Sequence, residues 1–117
     1  SVDHKLLMAV AQCESTFYTG ILNSHNCAGL MQIKLSTGES YGFSKAQLLQ
    51  MKPNIQMGAI YLGQALTTFG QDRVKALSSY NWGIGSVKKG SYNTKYATKV
   101  LSKYDRINSF LTSEGYL

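Results

Sequence analysis

Apolar side chains recur along this chain at the three- and four-residue spacing of helical faces. The segment from Leu6 to Ser15 has apolar residues at positions 6, 7, 10, 11 and 13, which share one face of a helix. Asp3 suits the N-cap of this helix, which we expect to run to about Ser15. The polar residues 16–28 that follow contain Gly20, Asn23, Ser24 and Asn26, and they are typical of a loop.

The rest of the chain is also predicted to be helical, because its apolar stretches begin at capping residues. Ser44 and Gln47 match a capping box, Pro53 suits a first helical turn, and Asp72 suits an N-cap. Glycine-rich residues 83–91 are predicted to form a loop, and no segment alternates convincingly as a strand does. The fold class expected is all-α, in one domain over residues 1–117. The helices expected after the first are short ones near residues 29 and 37–39, then 44–51, 53–70, 72–81 and 93–111.

Composition supports one globular domain. The 117 residues are 44% apolar and 15% charged, with a single proline, which excludes a disordered chain. No apolar run approaches the ~20 residues of a membrane span. Residues 1–5 show no signal peptide, so we expect a mature or excised domain.

The chain is basic, with 12 lysines and arginines against 6 acidic residues and a net charge of +6. The excess lies at residues 88–89 and at 95, 99, 103 and 106, and it favours an anionic partner. No basic and aromatic motif of nucleic-acid binding is present, so we expect no nucleic acid partner. A bacterial wall is another polyanion, and a solvated lysine face on the last helix explains the same spacing without any partner.

Cys13 and Cys27 are the only cysteines. A bond between them would close a loop of about 15 residues and stabilise the fold by about 3 kcal/mol. The alternative is two buried thiols that behave as small apolar groups. Two cysteines and two isolated histidines do not make a zinc site, so no metal is expected.

Glu14 is the candidate catalytic residue, because its carboxyl lies at the C-terminal end of an apolar helix. The negative end of the helix dipole and the apolar neighbours both favour its protonated form. A carboxyl that is partly protonated near neutral pH can act as a general acid. A solvated glutamate at a helix end is the alternative explanation.

Five short motifs occur in a fixed order, and together they resemble the lytic transglycosylase catalytic domain of the soluble type, which is related to goose-type lysozyme. The resemblance covers most of the chain, from about residue 2 to 101, and implies a lysozyme-like fold. The motifs are Glu14-Ser15, Gly29-Leu30-Met31-Gln32-Ile33, Asn54-Ile55 with Gly58 and Tyr61-Leu62, Ser79-Tyr80-Asn81-Trp82-Gly83, and Tyr96 to Leu101.

The resemblance implies an enzyme that cuts the β-1,4 bond between N-acetylmuramic acid and N-acetylglucosamine without water. Glu14 would act first as acid and then as base, and the product would be a 1,6-anhydromuramic acid end, with no cofactor. Glu39 is the only plausible second carboxylate, and its place near a predicted helix start gives it a structural role. A hydrolytic muramidase of the same fold and a non-catalytic glycan-binding module are the alternatives. The expected partner is the peptidoglycan strand, met outside the cytoplasm by a monomer that is secreted, wall-associated or virion-associated.

Further site residues follow from the resemblance. Gln32, Tyr80 and Asn81 are expected to contact sugar, although helix-end hydrogen bonds or core packing would also explain them. Ser15 is expected to order the backbone near Glu14. The extracytoplasmic setting favours a disulfide between Cys13 and Cys27. The remaining expected substrate contacts are Met31, Tyr61, Tyr96, and Asn23 with Ser24, where many relatives have a serine.

Two positions depart from the family pattern. Lys34-Leu35 stands where many relatives continue with Met-Pro, and Lys34 could meet a carboxylate of a muropeptide. Trp82 stands where alanine is usual, as a sugar platform or as a core residue.

Overall fold

The chain is built from helices and one short hairpin. The structure is a computed structural model, and it describes residues 2–115. Within that range the predicted all-α fold class is confirmed. The elements are α1 His4–Ser15, β1 Cys27–Ala28, β2 Ile33–Lys34, α2 Leu35–Ser40, α3 Lys45–Leu48, α4 Met51–Thr68, α5 Arg73–Trp82, α6 Ile84–Lys88 and α7 Thr94–Ser113.

Four helices form the core. Helix α1 packs along α7, and α5 lies between α4 and α7. Their inward faces supply fully buried side chains at helical spacing, as the apolar pattern predicts. Among residues 2–115, no helix has both the length and the apolar character of a membrane span. The largest buried apolar side chains are Leu6, Val10, Met31, Leu48, Met57, Leu62, Leu77 and Val100.

The predicted helix starts are confirmed at three positions. Asp3 Oδ1 accepts a hydrogen bond from the Lys5 N–H at 2.9 Å, and α1 ends at Ser15 as expected. Both halves of the capping box between Ser44 and Gln47 are formed. Asp72 accepts from the Lys75 N–H at 3.1 Å and begins α5.

Two local predictions are wrong. The short helix expected near Gly29 is instead a turn between β1 and β2, because Gly29 and Gln32 both have positive φ, at 76° and 48°, which no α-helix tolerates. The loop expected at 83–91 contains α6. Gly83 (φ 95°) ends α5, and Ile84 starts a new helical segment by donating its N–H to the Tyr61 hydroxyl at 3.1 Å.

Candidate active site

A cleft of about 460 Å³ opens beside the C-terminal end of α1. A smaller recess of about 140 Å³ shares five of its lining residues and extends it toward α2 and α4. The hairpin forms one wall of the cleft and the end of α5 forms the other. The cleft is lined by Glu14, Asn23, His25, Asn26, Cys27, Gln32, Lys34, Tyr80 and Asn81, and the recess adds Ile33, Thr37 and Tyr61.

Glu14 lies in the last turn of α1, with its carboxyl largely withdrawn from solvent. This burial raises the pKa of Glu14, while the Tyr96 hydrogen bond and the positive charge of Lys99 oppose the rise. Thr16 adopts a left-handed conformation (φ 52°) directly afterwards and ends the helix. The carboxyl therefore stands at the negative end of a helix dipole, as the sequence predicted.

Tyr96 from α7 is the direct partner of Glu14. Its hydroxyl donates to Glu14 Oε2 at 2.5 Å. Burial and the neighbouring Glu14 charge raise the pKa of Tyr96, so the phenol keeps its proton. The resemblance implied a substrate contact for Tyr96, but Tyr96 is not among the residues that line the cleft or its recess, and its hydroxyl is bonded to Glu14. The separation of 82 residues between Tyr96 and Glu14 gave no sign of this bond.

The turn between the two strands is held by groups from three helices. Ser15 Oγ, at the end of α1, donates to the carbonyls of Ala11 at 3.1 Å and Leu30 at 2.6 Å. Tyr80, on α5, donates its hydroxyl to the Met31 carbonyl at 2.6 Å. Asn54, on α4, supplies the third support.

Asn54 is fully buried and makes three short hydrogen bonds. Its Oδ1 accepts from the Met31 N–H, and its Nδ2 donates to the carbonyls of Ala28 and Leu48, each at 2.7 Å. Gly29 passes so close that a β-carbon there would lie 2.3 Å from Asn54 Nδ2. Sequence reasoning recognised the Asn54 motif but assigned it no role; an amide within an apolar helix face was the available signal.

Gln32 closes the turn and faces the cleft. Its Nε2 donates to the carbonyls of Gly29 at 2.9 Å and Ile21 at 3.3 Å, so the amide nitrogen is bound by the backbone. The amide oxygen remains as an acceptor at the cleft. The backbone hydrogen bond that the sequence left as one alternative is therefore formed, and the sugar contact stays a prediction.

The opposite wall carries two tyrosines and an asparagine. The Tyr61 and Tyr80 rings meet edge to face, with centroids 6.1 Å apart and planes at 77°. Asn81 Oδ1 accepts from Asn93 Nδ2 at 2.9 Å and links the end of α5 to the start of α7. Trp82 is 51% exposed, which excludes the core role.

Two other expected substrate contacts also lie outside the lining of the cleft. The Met31 side chain is 1% exposed and packs against α4 at Gly58, where a β-carbon would lie 2.8 Å from the Met31 methyl carbon, so it belongs to the core and not to the cleft wall. Ser24 is exposed and does not line the cleft. Its neighbour Asn23 does, and Asn23 Oδ1 also orders the loop by accepting from the N–H groups of His25 at 2.9 Å and Cys27 at 3.0 Å.

The expected disulfide is not formed, since Cys13 and Cys27 are both free thiols. Cys13 packs against the core on the side of α1 that faces Lys99 and Lys103 of α7. Cys27 lies on the cleft face of the hairpin, where its Sγ contacts the His25 carbonyl at 3.8 Å. Cys13 thus contacts the core, whereas Cys27 lines the cleft. Burial raises the pKa of both thiols.

Glu14 is the only carboxylate among the described residues that line the cleft. Glu39 is exposed near the end of α2 and lies outside this lining. Within residues 2–115, no three histidine, cysteine or acidic side chains come together as a metal site.

The sequence of this chain matches a known protein family. The model of the Transglycosylase SLT domain matches residues 1–103. The chain belongs to the SLT transglycosylase family. It is similar to the soluble lytic murein transglycosylase of Escherichia coli K12, with 33% identity over 118 residues, which cover 94% of this chain and 18% of that protein. It is also similar to the membrane-bound lytic murein transglycosylase C of Photorhabdus laumondii, at 28% identity over 87% of this chain and 33% of that protein.

Solved structures of the family agree in fold. The 70 kDa soluble lytic transglycosylase of Escherichia coli has a TM-score of 0.84 at 25% identity, over 95% of this chain and 22% of that one. An inactive mutant of lytic transglycosylase Slt from Pseudomonas aeruginosa has a TM-score of 0.80 at 25% identity, over the same shares. This SLT domain thus spans about a fifth of these longer proteins.

Proposed function

We propose that this SLT domain is a lytic transglycosylase that cuts the β-1,4 bond between N-acetylmuramic acid and N-acetylglucosamine and leaves a 1,6-anhydromuramic acid end. The observation that carries the proposal is a single, largely buried carboxyl in a cleft of otherwise neutral or basic groups. Its relatives are named lytic murein transglycosylases, which supports the proposal, and so does the complex of a similar 70 kDa soluble lytic transglycosylase with bulgecin A.

In the first step Glu14 donates its proton to the glycosidic oxygen. The Tyr96 hydroxyl already donates to Oε2, which makes Oε2 the poorer site for the acid proton. The proton therefore belongs on Oε1, the oxygen left for the substrate. Burial raises the pKa of Glu14 and so favours the acid form that this transfer requires.

The substrate itself supplies the nucleophile, because no second carboxylate lines the described cleft. The N-acetyl oxygen of muramic acid attacks its own C1 as the C1–O4 bond breaks, and the leaving sugar takes the Glu14 proton. Ionised Glu14 then accepts the proton of the C6 hydroxyl, which closes onto C1 and displaces the N-acetyl oxygen. Both attacks are intramolecular, because the N-acetyl oxygen and the C6 hydroxyl belong to the same sugar as C1. Each therefore reacts with a high effective molarity. Gln32 Oε1 and the Asn23 amide are suited to orient the sugar.

The setting follows from the substrate. The domain works outside the cytoplasm, where peptidoglycan lies, as a monomer that is secreted, wall-associated or virion-associated. Its charge of +6 favours approach to the anionic wall.

The test is the product released from purified sacculi by the wild type and by Glu14→Gln. The wild type should release 1,6-anhydro muropeptides, which mass spectrometry separates from reducing ones by one water. Glu14→Gln keeps the shape and removes the acid, so the rate should fall at least ~10²-fold while the fold is kept. Glu39→Gln is the matched control and should retain full activity. Mainly reducing products would contradict the transglycosylase mechanism and indicate a muramidase, and normal lysis by Glu14→Gln would contradict the single acid.

A further inference from the structure

Lys34 is directed into the cleft by the pleat of the hairpin. Cys27 pairs with Lys34 and Ala28 pairs with Ile33, and residues opposite each other in an antiparallel pair point to the same face. Ala28 and Ile33 are buried, at 0% and 4% exposure, so that face belongs to the core. Cys27 and Lys34 accordingly share the outer face, and both line the cleft and its recess.

No structural role accounts for the Lys34 side chain. The residue occupies the N-cap position of α2, yet its side chain makes no capping hydrogen bond. Within residues 2–115 the one ion pair joins Arg73 to Asp3, so no carboxylate there partners Lys34. The cation that acts on Glu14 is Lys99 of α7 and not Lys34. Lys34 is therefore an exposed ammonium group without an ion-pair partner among the described residues, in a cleft whose one carboxyl there, Glu14, is bonded to Tyr96.

A peptidoglycan strand brings the missing negative charge beside the bond that is cut. Each muramic acid carries a peptide through its lactyl group, and the free carboxylates of that peptide are the strand's own anions. We propose that Lys34 binds a stem-peptide carboxylate and makes this domain prefer strands whose stem carboxylates are free over strands in which they are amidated. This inference rests on the proposed function and names a specificity determinant within it.

The decisive comparison uses two preparations of glycan strands that differ only in stem carboxylates, free in one and converted to primary amides in the other. The wild type should cut the free-acid strands with a kcat/KM about 3- to 5-fold higher, chiefly through KM, as expected for one partly solvated ion pair. Lys34→Gln should abolish the preference by slowing the free-acid substrate alone. Lys34→Arg should keep it, and Lys52→Gln, which removes an exposed charge outside the cleft, should match the wild type.

Phosphate polymers of the wall are the other source of anions. Cleavage of sacculi by the wild type and Lys34→Gln, measured before and after these polymers are removed, distinguishes phosphate from stem carboxylates as the partner of Lys34. A Lys34 effect that disappears with the phosphate polymers would overturn the proposal, as would an equal loss on free and amidated strands. Binding of both strand types to the Glu14→Gln variant, with and without Lys34→Gln, gives a readout that needs no cleavage. A wild type that cuts neither strand would refute the proposed function, whereas equal affinities for the two strands would refute the role of Lys34.

Discussion

At the residue scale, the pKa of Glu14 is determined by opposing effects of two helices. Burial at the end of α1 raises its pKa, and α7 brings the Tyr96 hydroxyl and the Lys99 charge that hold the rise back. Sequence reasoning supplied the first influence, because burial and the helix dipole follow from the local apolar pattern. The second depends on α7 packing along α1, which no local pattern specifies.

Lys99→Gln tests this balance. Loss of the positive charge should raise the pKa of Glu14 further, so the acid form persists to higher pH and the high-pH limb of kcat/KM moves upward. Tyr96→Phe should move the limb in the same direction and also lower the plateau, because the carboxyl loses its alignment. Lys95→Gln, one turn earlier on α7, is the control. A limb that moves downward or stays in place in Lys99→Gln would contradict the electrostatic account.

At the scale of elements, the hairpin turn is the part of the site that sequence analysis predicted least well. The motif Gly29 to Ile33 was recognised, yet its geometry was taken for a helix. Its two positive φ angles are imposed from outside, by Asn54 of α4, Ser15 of α1 and Tyr80 of α5. Helices α1, α5 and α7 were predictable because their periodicity and caps are local, and α4 because its periodicity is local. This turn, in contrast, is defined by contacts between residues distant in sequence.

Asn54→Ala should therefore damage both stability and activity. It leaves the Met31 N–H and two buried carbonyls without partners, which should lower the free energy of unfolding by at least about 3 kcal/mol. Gln32 should lose its position at the cleft, so activity should fall even at temperatures where the variant is folded. Denaturant unfolding and lysis assays check both effects. Gln56→Ala, at an exposed site of the same helix, should change stability by less than about 0.5 kcal/mol, and a similarly small change in Asn54→Ala would contradict the anchoring role.

At the scale of the whole molecule, burial of the Glu14 carboxyl lowers the stability of the folded protein. The carboxyl of Glu14 must be held in a poorly solvated cleft, and the chain also carries six more positive than negative charges. The disulfide expected from the extracytoplasmic setting adds no stability, since both cysteines are free. Stability therefore rests on the packing of the four core helices and on the buried hydrogen bonds around the turn.

This cost should be visible as a pH-dependent stability difference between the wild type and Glu14→Gln. The folded protein holds the Glu14 proton more tightly than the unfolded chain, whose ordinary pKa is 4.5. Stability conferred by the acid form is thus fully present below pH 4.5 and is lost as the pH rises through the higher folded pKa. Glutamine never ionises, so Glu14→Gln should melt a few degrees above the wild type at neutral pH, since about 1 kcal/mol corresponds to ~4 °C in a domain of this size.

The two melting temperatures should converge below pH 4.5, where Glu14 is protonated in both states. Glu39→Gln, which changes an exposed carboxyl outside the cleft, should follow the wild type at every pH. Calorimetry across this range measures the pH dependence directly. A Glu14→Gln variant less stable than the wild type at neutral pH, with the gap closing on acidification, would mean that the ionised carboxyl is stabilised by Tyr96 and Lys99 more than burial penalises it. The pKa of Glu14 would then lie below its ordinary value, and Glu14 would be unsuited to act as the acid.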